Sequence, residues 1–261
     1  DPMARALVTG GTSGIGNEFA HQLAGRRYDL VLVARDTERL DAVAAEIRAR
    51  YQVAVEVLTA DLAIREDLLT VARRLESVDS PIDMLINNAG FGIHGSLLDE
   101  DFSLAERALD VMCLAVLVLS SAAGRTMRAR GVGSIINVGS TSGLITAGTY
   151  SAIKAWVNVY TESLAVDLAG TGITVTALLP GWVRTEFHQR AGVNAATLPG
   201  FVWIDAEQVV RECLDDNAAG RVLSVPGRGW AAAALIARFL PRRLLRWGSG
   251  KLSRSRRKQH P

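Results

Sequence analysis

Seven short runs of apolar, mostly β-branched residues punctuate this chain: Ala6–Thr9, Leu30–Ala34, Val53–Leu58, Met84–Asn87, Ser134–Val138, Thr174–Leu179 and Val222–Val225. Several are almost continuously apolar. That suits strands buried on both faces of a parallel sheet, because a half-exposed antiparallel strand would alternate. Longer amphipathic segments fill the gaps, at 15–25, 37–50, 64–77, 102–129, 150–169 and 205–217. In the second of these, Leu40, Val43, Ala44 and Ile47 recur at helical spacing, and Thr37 is placed to cap its start. Strand, helix, strand repeated in this way predicts an α/β doubly wound parallel sheet with right-handed crossovers. No repeat, linker or break in composition precedes residue 217, so one domain is expected up to there. The stretch 186–204 carries Gly192, Pro199 and Gly200 without strong periodicity. It reads as a mobile loop with a short helix, of the kind that shapes substrate pockets.

Composition narrows the class. Of 261 residues, 49% are hydrophobic and 21% charged, which excludes a disordered chain and a disulfide scaffold. The apolar run 112–119 falls far short of the roughly 20 residues a membrane span needs. The first apolar stretch, Ala6–Val8, has a strand's length, so no signal peptide and a cytoplasmic location are expected. Cys113 and Cys213 form no motif and are expected to be free thiols. His21, His94, His188 and His260 are scattered without metal-ligand spacing, so no metal is expected.

The first strand runs straight into Gly10-Gly11-Thr12-Ser13-Gly14-Ile15-Gly16 and then a helix. Glycines permit a tight turn and close approach of backbone to phosphate, while free N–H groups and the helix dipole favour an anion. This is a pyrophosphate cradle with Gly-x3-Gly-x-Gly spacing in place of the commoner Gly-x-Gly-x2-Gly. The second strand ends in Ala34-Arg35-Asp36. In dinucleotide folds an acid here bonds the ribose 2′-OH and selects NAD, whereas an arginine accommodates the 2′-phosphate. Arg35 favours NADP(H); Asp36 keeps NAD(H) open, since a shift of one residue would place the acid there.

Tyr150 and Lys154 stand at i and i+4 on one helix face. A lysine ammonium near a phenol favours the phenolate and lowers its pKa. A tyrosine tuned in this way can exchange a proton with a carbonyl or alcohol oxygen. Ser140, ending the preceding strand, is placed to hydrogen-bond the same oxygen, with Ser142 as a rival.

Together these motifs resemble the short-chain dehydrogenase/reductase family, in its single-domain branch. The residues that carry the resemblance are Thr9-Gly10-x3-Gly14-Ile15-Gly16, Asp61-Leu62, Asn87-Asn88-Ala89-Gly90, Ser140, Tyr150-x3-Lys154 and Pro180-Gly181-x-Val183-x-Thr185. They follow the family's order over about residues 4–226. The resemblance implies a seven-stranded parallel sheet and hydride transfer between a nicotinamide and a carbonyl or secondary alcohol, with Tyr150 as general acid/base. It implies a cofactor site formed by Thr9, Gly10, Thr12, Ser13, Gly14, Ile15, Gly16, Arg35, Asp61, Leu62, Asn88, Ala89, Gly90, Tyr150, Lys154, Pro180, Gly181, Val183 and Thr185. Asp61 would meet the adenine amino group, Asn87 and Gly90 would line the cofactor and brace the fourth strand, and Thr185 would help hold the carboxamide. It also implies a homodimer or homotetramer built through the tyrosine-bearing helix.

Two departures stand out. An ungapped alignment of 105–127 puts Met112 where the family usually has an asparagine that holds a relay water. A thioether has no donor, so the usual relay cannot form; alternatively Met112 is core filling. Ser140 also precedes Tyr150 by only 10 residues, a short spacing for the family. Pocket walls are expected from His94, Ile145, Trp182, Phe187, His188, Phe201 and Trp203, a largely apolar set that suits a steroid-like or lipid-like carbonyl or alcohol. The flavour is that of hydroxysteroid dehydrogenases and 3-oxoacyl reductases. His188 is a lesser candidate for a second acid/base. A cofactor-binding regulator with little turnover and a scaffold acting through the chain's end remain the alternative functions.

The net charge of +2 conceals a division. Residues 1–216 hold 18 Lys/Arg against 27 Asp/Glu, and residues 217–261 hold 11 Lys/Arg and no acid. The expected catalytic domain is 3–229. Residues 230–261 form a basic amphipathic extension, with Leu235, Ile236, Phe239, Leu240, Leu244 and Leu245 interrupted by Pro241. Such a segment suits peripheral membrane contact through 230–258, or packing as a lid or on another subunit. Nucleic acid fits poorly, because the basic run lacks interleaved stacking aromatics and adjoins an acidic body.

Overall fold

The computed structural model describes residues 3–93, 95–184 and 203–257. The first half runs β1 (Arg5–Thr9), α1 (Gly14–Gly25), β2 (Asp29–Ala34), α2 (Thr37–Tyr51), β3 (Val55–Thr59), α3 (Arg65–Leu75) and β4 (Met84–Asn87). Then come α4 (Ser103–Leu109), a π-helical turn (Asp110–Leu114), α5 (Ala115–Arg130), β5 (Gly133–Val138), a 3-10 turn (Thr141–Leu144), α6 (Gly148–Asp167) and β6 (Ile173–Leu178). β7 (Trp182–Arg184), β8 (Trp203–Asp205), α7 (Ala206–Ala218), β9 (Leu223–Ser224), α8 (Arg228–Phe239) and α9 (Arg242–Arg257) complete the described chain.

The main sheet has seven parallel strands in the order β3-β2-β1-β4-β5-β6-β9, as expected. Successive strand residues feed opposite faces, which is the period of a pleated strand. Val8, Ile86 and Ile136 join Phe19, Leu23, Leu40, Ile47 and Val209 of α1, α2 and α7. Their neighbours Leu7, Leu85 and Ile135 join Leu68, Val71, Leu119 and Ile153 of α3, α5 and α6. Both faces are covered, which is why the strands read as continuous apolar runs. The helical stretch Ser103–Arg130 is long and apolar enough to cross a membrane, but it packs on the sheet with most of its apolar window buried. The strand order reverses between β1 and β4, so a crevice opens beyond their carboxyl ends, the usual ligand position in such sheets.

Several local expectations need correction. Asp36, not Thr37, caps α2: its carboxylate accepts from the Arg39 N–H at 3.1 Å. Thr37 instead pairs its hydroxyl with Thr59 at 3.0 Å. The expected helix 102–129 is interrupted by the π-turn, where the Ala115 N–H reaches back to the Asp110 carbonyl. The strand expected at Val222–Val225 shrinks to two residues, since β6 offers pairing only at Ala177 and Leu178. β7 and β8 were not expected as strands. They pair in parallel, Trp182 with Trp203, so 203–204 is strand and not loop, while 186–202 lies outside the described residues. Pro241 divides α8 from α9, as its missing N–H requires.

Candidate active site

The glycine turn is built around backbone that other residues resist. Gly14 has φ +56°, the left-handed region, where an L side chain is strained. At Gly16 a Cβ would lie 2.2 Å from both the Gly10 carbonyl oxygen and the Asn88 amide, so close packing of turn on helix excludes any side chain. Ser13 is the N-cap of α1 but makes no side-chain cap bond, leaving the first N–H groups of α1 without that partner. The donor set of an anion cradle is therefore in place.

Thr9 and Asn88 lock this turn to β4. The Thr9 hydroxyl accepts from the N–H groups of Asn88 and Ala89, each at 3.0 Å. The Asn88 amide donates to the carbonyls of Thr9 and Gly10 at 3.1 and 3.2 Å. Thr9 and the Asn88 amide thus act on the protein itself. Asn87 braces the strand from within. Its amide donates to Asn137 at 2.9 Å and to Ser120 at 3.0 Å, and Asn137 in turn donates to Thr161 at 3.1 Å. All four side chains are buried, so this network satisfies polar groups that would otherwise be costly.

Arg35 is exposed at the end of β2. Arg39, one turn into α2, reaches the Thr12 carbonyl of the glycine turn at 3.4 Å. Asp61 is engaged by a residue the sequence did not point to: Arg107 on α4 donates to both carboxylate oxygens, at 2.9 and 2.7 Å. Burial pushes the Asp61 carboxyl up. The Arg107 hydrogen bonds, the Ala63 N–H and the Arg107 and Arg35 charges outweigh it, so the group lies below the ordinary carboxylate range.

Ser140, Tyr150 and Lys154 come together where β5 ends and α6 begins. Ser140 caps the 3-10 turn, accepting from the Ser142 N–H at 3.0 Å, and its hydroxyl acts on the Tyr150 phenol. This favours Ser140 over Ser142, which sits within the turn. The Lys154 Nζ lies 5.7 Å from the Tyr150 ring centroid and donates to the Val138 carbonyl at 2.8 Å. The electrostatics differ from expectation. Burial dominates at Tyr150 and pushes its phenol above the ordinary range, with Ser140 pulling the other way; the neutral form is the one favoured. Lys154 is buried, and desolvation lowers its pKa to about 8, partly countered by the Cys113 thiol.

Asn158 was missed, although it repeats the i+4 spacing of Tyr150 and Lys154. Its amide donates to the Ser140 carbonyl at 3.1 Å and its oxygen accepts from the Ser140 N–H at 3.4 Å. Both groups of one residue are held by one side chain, which fixes the hydroxyl that meets Tyr150. Gly139 and Gly143 make room, since a Cβ would lie 2.0 or 2.5 Å from that side chain. Met112 is buried at 1% exposure, and its sulfur lies 3.0 Å from where a Cβ on Gly90 would stand. It fills the core beneath Gly90. The adjacent Cys113 is half-buried, in the π-turn.

The segment after β6 is tied to the same place. The Pro180 carbonyl accepts from both the N–H and the hydroxyl of Thr141, at 3.2 and 3.1 Å, and Val183 is in the core. Gly181 faces the Trp230 ring of α8, which a Cβ would meet at 2.2 Å. Trp182 and Trp203 meet edge-to-face at 5.8 Å. Ile145, at the end of the 3-10 turn, is half-buried. Thr185, His94, Phe187, His188 and Phe201 lie outside the described residues. Among the described residues no cluster suits a metal ion.

The family profile described as short chain dehydrogenase matches residues 4–195. Galactitol 2-dehydrogenase (L-tagatose-forming) of Cereibacter sphaeroides is 33% identical over 90% of this chain and 92% of its own. Very-long-chain 3-oxoacyl-CoA reductase of Podospora anserina is 34% identical over 70% of this chain but 56% of its own. Among solved structures, a short-chain dehydrogenase from Sphingobium yanoikuyae in complex with NADPH superposes with a TM-score of 0.82 at 34% identity, covering 99% of this chain and 96% of that one. The bulky-bulky ketone specific alcohol dehydrogenase from Comamonas testosteroni gives 0.79 at 30% identity, covering 100% and 96%.

Proposed function

Because the chain belongs to the short-chain dehydrogenase family, we propose that it is an NADP(H)-dependent oxidoreductase acting on an apolar carbonyl or secondary alcohol. The observation that carries this is the placement of Lys154, which donates to the Val138 carbonyl at 2.8 Å, beside the Tyr150 ring and near Ser140, at the carboxyl edge of the sheet next to an uncapped helix N-terminus. The residues fit the cofactor. The glycine turn offers N–H donors for a pyrophosphate, and Arg35 offers its planar fork for a 2′-phosphate. Asp36, the acid that kept NAD(H) open, is already spent as the α2 cap. The NADPH complex of the Sphingobium relative supports the same choice. When bound, NADP(H) supplies or accepts the hydride.

The protein's own residues handle the proton and the substrate. Tyr150 carries its proton at neutral pH and serves as the acid that protonates the carbonyl oxygen in reduction, and as the base in the reverse direction. Ser140 orients that oxygen, and Asn158 positions Ser140. Lys154 places positive charge beside the phenol, which stabilises the phenolate when the proton leaves. Ile145, Trp182 and Trp203 suit an apolar, steroid-like or lipid-like substrate. The bulky ketones named for the Comamonas relative support that class. Residues 3–229 act as the catalytic domain, and the extension 230–261 lends it Trp230 and Ser249, which accepts from the Thr146 N–H at 3.3 Å. The working unit is a homodimer or homotetramer.

The test is steady-state NADPH oxidation with a panel of bulky ketones, beside NADPH binding followed by fluorescence. Tyr150→Phe should abolish turnover and leave NADPH affinity within about twofold. Retained turnover would sink the assignment. A wild-type protein that binds NADPH yet never exceeds background across the panel would favour the regulator.

A further inference from the structure

We propose that α8 and α9 form a docking surface for an anionic lipid bilayer. The site described above does not use this face. Along α8 only Ala234 is buried; Leu235, Ile236 and Phe239 are 59%, 61% and 81% exposed. On α9 Leu244 and Trp247 are 53% and 62% exposed. Exposed apolar residues alone are ordinary; what sets this face apart is the charge placed among them.

The charge around them identifies the occupant. Arg238, Arg242, Arg243 and Arg246 are exposed among these apolar residues, and four more Lys/Arg follow within α9, at 251, 254, 256 and 257. No acid occurs after residue 216. Among the described residues, Arg238 is the one of these four drawn to a carboxylate, Glu162 of α6, at 3.4 Å. Apolar side chains including Phe and Trp, interleaved with arginines, match a bilayer interface: rings and aliphatic chains enter the headgroup boundary while guanidinium groups meet lipid phosphates. A second copy of this chain is the weaker match, because its face would bring the same positive charge.

The rest of the molecule sets the orientation. Residues 1–216 carry 18 Lys/Arg against 27 Asp/Glu, so an anionic surface repels the body and attracts the end. The two helices are not a loose tail. Trp230 covers Gly181, and Ser249 accepts from the Thr146 N–H, so docking through α8 and α9 holds the catalytic body at a fixed pose.

The test is co-sedimentation of the full chain with sucrose-loaded vesicles, either of phosphatidylcholine alone or with about a third phosphatidylglycerol. Binding to the anionic vesicles should be at least about tenfold tighter and should weaken in about 0.5 M salt. The triple charge reversal Arg242→Glu, Arg243→Glu, Arg246→Glu should weaken it more than about a hundredfold. Phe239→Ser with Trp247→Ser should weaken binding while keeping its salt dependence. Melting followed by circular dichroism confirms that each variant is folded, and sedimentation velocity reports its oligomeric state. Three results overturn the proposal: the wild type stays in the supernatant with both vesicles, both lipids bind it equally, or the variants change subunit assembly without any vesicle binding. None of these readouts depends on enzyme activity, so failure here and failure of the oxidoreductase reading are separable.

Discussion

Replacing Lys154 by methionine should abolish turnover and stabilise the fold at neutral pH. The reason is electrostatic. Lys154 is buried, and its pKa falls from the ordinary 10.5 to about 8 because desolvation penalises the ammonium. At 1.36 kcal/mol per pH unit, keeping it charged below pH 8 costs about 3 kcal/mol. Its bond to the Val138 carbonyl at 2.8 Å returns about 2 kcal/mol. Lys154→Met keeps the stem, so a net gain of about 1 kcal/mol at pH 7 is expected. The pH dependence is the sharper test. Between pH 8 and 10.5 the unfolded chain holds a proton at this lysine that the folded protein has shed, so wild-type stability rises with pH through that window. From pH 7.5 to 9.5 this contributes about 2 kcal/mol, which Lys154→Met lacks. The Cys113 thiol, pushed up to about 11 by burial, acts with the opposite sign between pH 9 and 11. It is present in both proteins and largely cancels in their difference. Urea unfolding of both proteins at the two pH values measures that difference. Parallel stability curves would refute the reasoning, because Lys154 would then be as well solvated folded as unfolded.

Other consequences can be checked with the same preparations. Asn158→Ala removes both bonds that hold the Ser140 peptide, at a cost of roughly 2–4 kcal/mol, so calorimetry should show Tm lower by about 5–10 °C. Its kcat should fall with KM for NADPH unchanged; an unchanged kcat would mean Ser140 keeps its place without it. Arg35→Asp should cost at least about tenfold in kcat/KM with NADPH and improve use of NADH, and a constant ratio would remove Arg35 from phosphate recognition. Met112→Asn should leave kcat equal or higher while costing about 1–3 kcal/mol of stability, because the amide enters a core position with 1% exposure. A collapse of kcat in a folded Met112→Asn protein would contradict the placement of Met112 at the relay position.

Much of this protein follows from local chemistry that a one-dimensional reading can follow. Unbroken apolar runs require two covered faces, and the glycines of 10–16 require a left-handed turn at a helix start. The spacing of Tyr150 and Lys154 puts both on one helix face. For these the sequence by itself determines the outcome, since the periods of strand and helix are set by the backbone. Tertiary structure decided what depends on partners far apart along the chain. Asp61 meets Arg107 from α4, Asn158 grips Ser140 across the turn after β5, and Trp230 arrives from the C-terminal helices to cover Gly181. No pattern in the chain announces β7 and β8, because a three-residue strand exists only through its partner. The state of Tyr150 was decided the same way. Spacing put a lysine beside it and argued for a lowered pKa, but burial, a property of the packed molecule, pushes the phenol up and keeps its proton in place.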